Sequence, residues 1–375
     1  MQGIRLDPLL FAATLTLVGF GTVMIGSSSV ALLEGQPLYF LLQHLGALAI
    51  GLVGMLLAIA IPIDWWHRFR GLLLVATFAL LTLVLVPGIG ERINGSARWI
   101  QVGPIGLQAS ELARLCFLLY VASYAVKKNA ELRAGFGGFL RPVALVVAAS
   151  LLLLAEPDYG ATVVLTATSF GVLFIAGARL RDVSVAIVGS AAALAALAWS
   201  SPYRLARLMT YRDPWADPFD SGYQLSNSLI AFGTGDWAGV GLGASVQKLL
   251  FLPEAHTDFI FAVIAEELGL IGASLVIIVF SVLVYRAFEL GSRATKAGMP
   301  LHALISIGIG LMLGMQAAIN IGVNVGLLPT KGLTLPLISY GRTSTVVTLA
   351  ALGLLFRIAS ELKAADDKLP ARGAR

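Results

Sequence analysis

The chain has few charged residues and almost no cysteine, and both shortages limit what it can be. Only 13% of its 375 residues are charged and 58% are hydrophobic, whereas about a quarter of a soluble domain is charged. This small number of charged side chains cannot cover the apolar surface of a soluble protein. The sequence therefore predicts an integral membrane protein. The single cysteine, Cys116, excludes an internal disulfide and any paired-cysteine metal or redox site.

The sequence also lacks the features of a nucleic-acid-binding protein. Its formal net charge is +5, but the basic residues form no patch interleaved with aromatic residues and no zinc-finger spacing is present. Most of them lie where cytoplasmic segments of a membrane protein are expected, as the positive-inside rule requires, or where they would contact anionic lipid head groups. We therefore expect contact with a membrane and no contact with nucleic acid.

Long apolar runs occur along nearly the whole chain. A helix that crosses a bilayer needs about 20 mostly apolar residues. The pattern predicts an all-α integral membrane protein of about ten transmembrane helices, with both termini in the cytoplasm. The predicted spans are 8–28, 41–62, 70–88, 110–127, 142–156, 160–178, 183–200, 259–286, 301–328 and 343–360.

One connection is much longer than the others. Residues 201–258 separate the seventh and eighth predicted spans and are expected to lie outside the cytoplasm. Loops of this length are uncommon unless they are functional or disordered, and the many aromatic residues here argue against disorder. The predicted membrane domain covers residues 1–360, and residues 361–375 are expected to form a disordered cytoplasmic tail.

The long loop ends in a polar segment directly before an apolar run. His256, Thr257 and Asp258 are its last residues. Because ionisable groups are costly at a membrane boundary, such a cluster points to a functional site. On this interpretation Asp258 is a general base, and His256 and Thr257 orient it or the substrate. Alternatively, Thr257 and Asp258 only cap the helix that begins at Phe259.

Two further polar groups lie near the mouth of the fourth predicted span. Glu111 and Arg114 are three residues apart, a spacing that permits an ion pair on one helix face. The pair either directs Arg114 towards an anionic substrate or locks two spans together. Arg98 and Trp99 offer a phosphate contact and a platform for a saccharide, or else an interfacial tryptophan with a neighbouring arginine.

Prolines, glycines and hydroxyl residues interrupt the apolar pattern at 328–344. Non-helical backbone at membrane depth is tolerated where it is buried in protein or lines a wet cavity. We therefore expect a re-entrant outer loop that brings Lys331 and Arg342 to such a cavity, together with Ser339. The acids Glu156 and Asp158 lie at another break, which is either a proton or cation site or a turn.

Several of these segments together resemble the SEDS family (shape, elongation, division and sporulation). The resemblance runs through nearly the whole chain, and the strings at 213–219 and 252–258 are more similar to its division branch than to its elongation branch. The family differs from this chain at Ala109, Arg114 and Arg342, where it commonly has proline, lysine and glycine. The segments that carry the resemblance are 98–100, 108–114, 156–160, 252–259 and 328–344.

The resemblance implies a ten-span peptidoglycan glycosyltransferase that polymerises lipid II at the outer face of the bacterial cytoplasmic membrane during division. It implies a class B penicillin-binding protein and other division proteins as partners. The family's essential aspartate corresponds to Asp258, its charged pair in the fourth span to Glu111 and Arg114, and its loop tryptophan to Trp99. A lipid II flippase or another transporter is the alternative, because broken helices and ten spans also suit transport.

Polymerisation of lipid II releases a polyprenyl diphosphate, which needs no proton to leave. One general base and several cations are therefore expected. We assign the base to Asp258 and group Glu111 and Arg114 with it as catalytic residues, with Glu111 holding Arg114 in place. Diphosphate binding is assigned to Arg98, Lys248, Lys331 and Arg342, alone or with a divalent cation such as Mg²⁺ or Mn²⁺. No residues are assigned as metal ligands and no other cofactor is expected. The remaining predicted substrate-binding residues are Trp99, His256, Thr257 and Ser339.

Overall fold

Apolar helices form most of the molecule. The computed structural model describes residues 6–30, 36–93, 96–103, 105–199, 211–220, 222–330 and 332–367. The first half of the chain forms α1 (Pro8–Ser29), α2 (Tyr39–Ala60), α3 (Ile63–Arg68), α4 (Arg70–Leu83), α5 (Ala109–Lys127), α6 (Asn129–Ala134) and α7 (Phe136–Ala155). The second half forms α8 (Tyr159–Ile175), α9 (Leu180–Trp199), α10 (Tyr223–Gly235), α11 (Ile260–Lys296), α12 (Pro300–Asn324) and α13 (Arg342–Asp366).

Eight of these helices are long and apolar enough to cross a membrane, and two shorter apolar helices, α4 and α8, accompany them in the described part of the chain. The prediction of an all-α, multi-pass membrane protein is therefore confirmed. The ten apolar helices correspond to the ten predicted spans. However, α4 has 14 residues and α8 has 17, fewer than the roughly 20 that a bilayer requires. The exact number of spans thus remains a prediction.

A small antiparallel sheet lies between α4 and α5, where the sequence analysis expected only a loop. Its strands are β1 (Gly90–Ile93), β2 (Ser96–Val102) and β3 (Ile105–Gln108), in that order across the sheet. The strands have only four, seven and four residues, too few for an alternating pattern to be distinguished from a polar loop. Since β3 continues directly into α5, the sheet is fixed above the start of that helix.

The interior of the helix bundle is formed mainly by α5, α12 and α13. In the apolar windows of α5 and α13, 72% of the residues are buried, compared with 11% for α9. The helices α2, α7 and α9 therefore present most of their apolar residues outwards, as lipid-facing helices do. Helix α2 packs so closely on α13 that a Cβ at Gly353 would lie 2.5 Å from the carbonyl oxygen of Met55.

Helix α11 is broken near its beginning. Gly269 has a φ of 65°, and a Cβ at this position would lie 2.5 Å from the backbone of Trp237 and Gly239, so glycine is required here. The break is closed by the long loop, since the amide of Leu270 donates to the carbonyl of Asp236 at 2.9 Å. Residues 260–268 therefore form a short buried helix that precedes the long apolar part of α11.

The two termini of the described chain lie at one end of the bundle. Lys363 Nζ, near the end of α13, donates to the carbonyl of Leu6 at 3.2 Å, and Arg357 Nη1 donates to that of Ile59, at the end of α2, at 3.2 Å. Helix α13 continues to Asp366, so the predicted tail does not begin at residue 361. Residues 368–375 lie outside the described residues. The start of α2, the start of α13, the sheet and Asp258 lie at the opposite end.

Candidate active site

Asp258 lies in a half-buried position just before α11, and the neighbouring helix fixes its backbone. The Nδ2 atoms of Asn320 and Asn324, both on α12, each donate to the carbonyl oxygen of Asp258 at 2.9 Å. Asn320 Nδ2 also donates to the carbonyl of Leu333 at 2.6 Å. Two asparagines thus join the segment that carries Asp258 to the segment that follows α12.

The connection between α12 and α13 holds the same segment from the other side. Ser339 Oγ donates to the carbonyl of Thr257 at 2.6 Å and accepts from the amide of Leu335 at 2.7 Å. The amide of Tyr340 donates to the carbonyl of His256 at 2.9 Å. Ser339, which the sequence analysis assigned to substrate binding, therefore contacts the backbone beside Asp258 and orders it.

The helix-capping interpretation of Thr257 and Asp258 is wrong. Helix α11 begins at Ile260, its N-cap residue is Phe259, and within the described residues no side chain caps it. Thr257 Oγ1 instead donates to Glu254 Oε2 at 2.7 Å. The Asp258 carboxylate is therefore free of a capping role.

His256 is held as an aromatic ring rather than as a charge. Its ring centroid lies 4.8 Å from that of Phe40 and 5.6 Å from that of Tyr340. Burial lowers the pKa of His256, and the nearby Glu254 opposes this only in part. A neutral imidazole packed between two rings fixes the polar segment against the start of α2.

The carboxylate of Asp258 and the guanidinium of Arg98 face the same small space beside Gly332. A methyl group at Gly332 would lie 3.0 Å from Asp258 Oδ2 and 3.9 Å from Arg98 Nη1. Arg98 is oriented by its Nη2, which donates to the carbonyl of Pro157 at 2.6 Å, and by Asp158 Oδ2, 3.8 Å from its Nε. The structure thus brings together two of the predicted site residues.

Asp158 connects this space to two helices. Its Oδ1 accepts from the amide of Ala161 at 3.0 Å and caps α8, while its Oδ2 accepts from Ser110 Oγ, in the first turn of α5, at 3.0 Å. The predicted turn at 156–160 therefore serves both as a helix start and as the support of Arg98.

Burial raises the pKa of Asp258 to about 7. Glu254 and Asp158 raise it further, and Arg98 opposes the shift. A carboxyl that titrates near neutral pH is suited to accept a proton as a general base. The raised pKa and the facing cation make Asp258 a candidate functional residue.

A second carboxyl close to Arg98 is uncharged at neutral pH. Glu156 is fully buried, and neither of its carboxyl oxygens has a hydrogen-bond partner among the described residues. Burial, with a contribution from Asp158, raises the pKa of Glu156 to about 9. Asp258 therefore ionises at a lower pH than Glu156 does.

Glu111 and Arg114 form the predicted ion pair within α5, and both side chains are buried. The pair is not in contact with Asp258. It is linked to the site indirectly, because Ser110, next to Glu111, bonds to Asp158, which supports Arg98. Arg114 Nε and Nη1 have no partner in the described part of the chain, and Arg114 lines a cavity of ≈ 10 Å³ between α5, α8 and α12.

Trp99 and Arg342 lie together beside β3. A Cβ at Gly106 would lie 3.4 Å from the Trp99 ring and 3.4 Å from Arg342 Nη2, and Arg342 Nη1 donates to Gln43 Oε1 at 3.0 Å. Arg342 lies at the polar side of a cavity of ≈ 560 Å³ whose other walls are mainly apolar. The cavity lies between α2, α5, α13 and the sheet, and its lining includes Leu42, Gln43, Ala47, Ile50, Leu112, Thr343 and Val346.

One predicted cation, Lys248, does not join this arrangement in the structure. Lys248 is buried and its Nζ donates to Glu267 Oε1 at 2.6 Å, within a separate cluster on α11. Lys248 is therefore engaged by Glu267 and is not available to a diphosphate beside Arg98. Lys331 lies outside the described residues.

Three polar residues of α12 were not predicted to belong to the site. Gln316, Asn320 and Asn324 recur every four residues on an otherwise apolar helix, and so lie on one face. All three are buried, and each donates to a backbone carbonyl in or beside the site. Buried polar residues at helical spacing within a span were the signal that could have identified them.

These observations define a polytopic helical membrane protein with a candidate site at the end of the bundle opposite Leu6 and Lys363. The chain matches the sequence model of the FtsW/RodA/SpoVE family, described as "Cell cycle protein", over residues 8–364. It therefore belongs to this family, and the predicted resemblance is confirmed.

Individual relatives agree with this assignment. The chain is 50% identical over 360 residues to the "Probable peptidoglycan glycosyltransferase FtsW" of Thioalkalivibrio sulfidiphilus, covering 95% of this chain and 90% of that protein. It is 48% identical over 363 residues to the protein of the same name from Hahella chejuensis, covering 96% and 91%. The predicted similarity to the division branch is therefore confirmed.

Solved structures share the fold. The rod shape determining protein RodA of Thermus thermophilus superposes with a TM-score of 0.69 at 27% identity, covering 96% of this chain and 98% of that one. A chain from the structure described as "Structural coordination of polymerization and crosslinking by a peptidoglycan synthase complex" superposes with a TM-score of 0.78 at 29% identity, with the same coverage. The arrangement of the helices is thus shared with these two proteins.

Proposed function

We propose that this protein is a peptidoglycan glycosyltransferase that polymerises lipid II at the outer face of the cytoplasmic membrane during cell division. Its relatives of about 50% identity bear the name of that activity. The observation that carries the proposal is the placement of Asp258. Its carboxyl, with a pKa near 7, faces the same space as the guanidinium of Arg98.

The chemistry requires one base and one cationic group. The acceptor sugar hydroxyl forms a bond to the anomeric carbon of the donor, and the bond from that carbon to the diphosphate oxygen breaks. Asp258 accepts the hydroxyl proton, and the diphosphate leaves with the bonding electron pair. Arg98 stabilises the negative charge that develops on the leaving group. Because the diphosphate leaves unprotonated, no acid partner is needed.

The remaining residues are assigned around this pair. Trp99 and Arg342 bind the saccharide and the diphosphate beside the large cavity, and His256 and Thr257 hold the segment that carries Asp258. Lys331 remains a predicted diphosphate contact. Glu111 and Arg114 stabilise the start of α5, on which the support of Arg98 depends.

A divalent cation, Mg²⁺ or Mn²⁺, stays a proposal. Among the described residues there is no group of three or more His, Cys, Asp or Glu side chains that could hold a metal ion. The described residues therefore do not supply a full ligand set, and diphosphate oxygens would have to complete one. No step of the mechanism is assigned to the ion.

A class B penicillin-binding protein that crosslinks the glycan, together with other division proteins of the membrane, is the proposed set of partners. The support is the structural similarity to a chain from work on a peptidoglycan synthase complex. The proposed location is the inner membrane at the division septum, with both termini in the cytoplasm.

The test is polymerisation by the purified protein in liposomes that carry labelled lipid II in the outer leaflet only. We expect glycan strands from the wild-type protein, with the penicillin-binding protein added where needed. Asp258→Asn should lower the rate about 10²–10⁴-fold, the usual cost of losing a general base. Asp220→Asn, which removes an exposed carboxylate from the same long loop, is the control and should be as active as wild type.

Two results would contradict the proposal. Wild-type rates from correctly folded Asp258→Asn protein would exclude Asp258 as the base. Transfer of labelled lipid between leaflets without any polymer, in the presence of the partner, would instead indicate a transporter.

A further inference from the structure

A buried polar cluster joins α1, α11 and the long loop at the same end of the bundle as the candidate site. Lys248 Nζ donates to Glu267 Oε1 at 2.6 Å and to Ser27 Oγ at 3.0 Å. Ser27 Oγ donates in turn to Glu267 Oε1 and Oε2 at 2.7 and 2.8 Å. Glu267 is fully buried and only 6% of Lys248 is exposed. We call these three residues the latch.

The residue before Glu267 holds the preceding part of the loop. Glu266 accepts hydrogen bonds from Ser245 Oγ and from the amides of Val246 and Gln247, the last two at 3.0 and 3.3 Å. The carbonyls of Glu266 and Glu267 accept from the amides of Val240 and Gly241, at 2.9 and 3.0 Å. The short helix before the break at Gly269 therefore fixes the loop over residues 240–248.

The latch joins the chain before Asp258 to the chain after it, and so closes a loop that contains Asp258. Lys248 belongs to a π-helical turn, Gln247–Phe251, which leads directly into the polar segment that ends at Asp258. Glu267 lies on the helix that follows Asp258. The ion pair therefore joins the two ends of the segment that carries the proposed base, and Ser27 anchors both to α1.

Such a pair is difficult to explain by stability alone. Two charges buried in a protein lose their hydration, and apolar residues of similar volume are often as stabilising as the pair or more so. Two apolar side chains could hold α11 and the turn together, but they would not fix one direction of contact as charge-assisted hydrogen bonds do. The cluster is therefore better suited to fixing geometry than to adding stability.

We propose that the latch of Lys248, Glu267 and Ser27 positions the segment 252–258 so that Asp258 meets the acceptor hydroxyl. This inference rests on the proposed function. None of the three residues touches the space between Asp258 and Arg98, so they act as positioning residues. A displacement of about 1 Å in a reacting group can lower a rate about 10²-fold.

The decisive variant removes both charges at once. Lys248→Met and Glu267→Met should each lower thermal stability, because each leaves its partner charge buried and unpaired. The double variant Lys248→Met/Glu267→Met should regain that stability but remain about 10²-fold slower than wild type in kcat, with KM nearly unchanged. A purely structural role predicts that stability and rate recover together.

The chain offers a matched control at the other end of the same two helices. Arg286 on α11 pairs with Asp7, the N-cap of α1, through contacts of 2.5 and 3.1 Å. Asp7→Asn/Arg286→Met keeps the cap and removes this ion pair. It should leave the rate per folded molecule unchanged.

The measurements are thermal unfolding and polymerisation of lipid II by each purified variant. A double latch variant with restored stability and wild-type kcat would overturn the inference, and so would an equal loss of rate in the control. If the double variant does not fold, Ser27→Ala decides: loss of the hydrogen bonds of Ser27 to Lys248 and Glu267 should lower kcat about fivefold, and an unchanged kcat would refute the latch. An inactive wild-type protein would instead contradict the proposed function.

Discussion

The ionisation of a single side chain, Asp258, should control the pH dependence of the reaction. A general base must be ionised to accept a proton, and burial raises the pKa of Asp258 from 3.8 to about 7. The value of kcat/KM should therefore fall about tenfold for each pH unit below the pKa. Arg98→Gln should move the midpoint upwards, because Arg98 lowers the pKa of Asp258. A midpoint near 4 would show that the carboxyl is not buried as described.

The raised pKa of Asp258 also affects the stability of the fold. A rise in pH increases activity but decreases stability. Between about pH 4 and pH 7 the folded protein retains a proton on Asp258 that the unfolded chain has released. This contribution to stability is fully present below the unfolded pKa and is lost as the pH rises through 7. Asp258→Asn should therefore flatten the decrease in thermal stability across this range, which unfolding at several pH values measures.

At the scale of elements, the connection between α12 and α13 acts as one wall of the site. Gly332 lies in it, and Gly332→Ala would place a methyl group 3.0 Å from Asp258 Oδ2 and 3.9 Å from Arg98 Nη1. We expect a loss of polymerisation of about tenfold, because the Asp258 carboxylate would have to move by a few tenths of an ångström and the methyl group would occupy part of the space that it shares with Arg98. Thermal stability should change little.

The control for this prediction is Gly137→Ala on α7. A methyl group there would meet no atom within 4 Å among the described residues, and alanine favours a helix over glycine. Activity should therefore be unchanged and stability equal or slightly higher. Unimpaired polymerisation by Gly332→Ala would show that the space beside Asp258 is not where the reaction takes place.

The apolar pattern predicted the long helices because a helix that crosses a bilayer must be long and mostly apolar. It did not predict the sheet or the break in α11. The strands are short and partly polar, and Gly269 in an apolar run is compatible with a continuous helix. Its left-handed φ results from contact with residues 236–239, and a contact distant in sequence leaves no periodic signal.

The partners of the charged side chains were only partly predictable, because these contacts too are distant in sequence. Arg98 and Asp258 were expected in one site and lie together, since both flank membrane-surface segments. Lys248 was expected there too, but Glu267, which the sequence analysis read only as part of an apolar span, pairs with it instead. The type and position of a cation do not reveal which carboxylate the fold brings to it.

For the whole molecule, the two ends of the bundle differ in what they hold. One end carries Asp258, the sheet and the latch, and the other carries a hydrogen bond that joins Leu6, just before α1, to Lys363, near the end of α13. Helices α1 and α11 are joined at both ends, by Ser27 with Glu267 and by Asp7 with Arg286. This arrangement fixes the distance between the site and the end that holds Leu6 and Lys363.

This separation predicts the topology of the protein in its membrane. Phe219, in the long loop, is 89% exposed and lies near α10, which bonds to the site end through Ser228 and Asn324. Asp366 ends α13 at the opposite face. In a Cys116→Ser background, Phe219→Cys should react with a membrane-impermeant maleimide in spheroplasts, whereas Asp366→Cys should react only after permeabilisation. Labelling of both positions in intact spheroplasts would contradict the orientation, because the proposed reaction needs the site end to face the leaflet that holds its substrate.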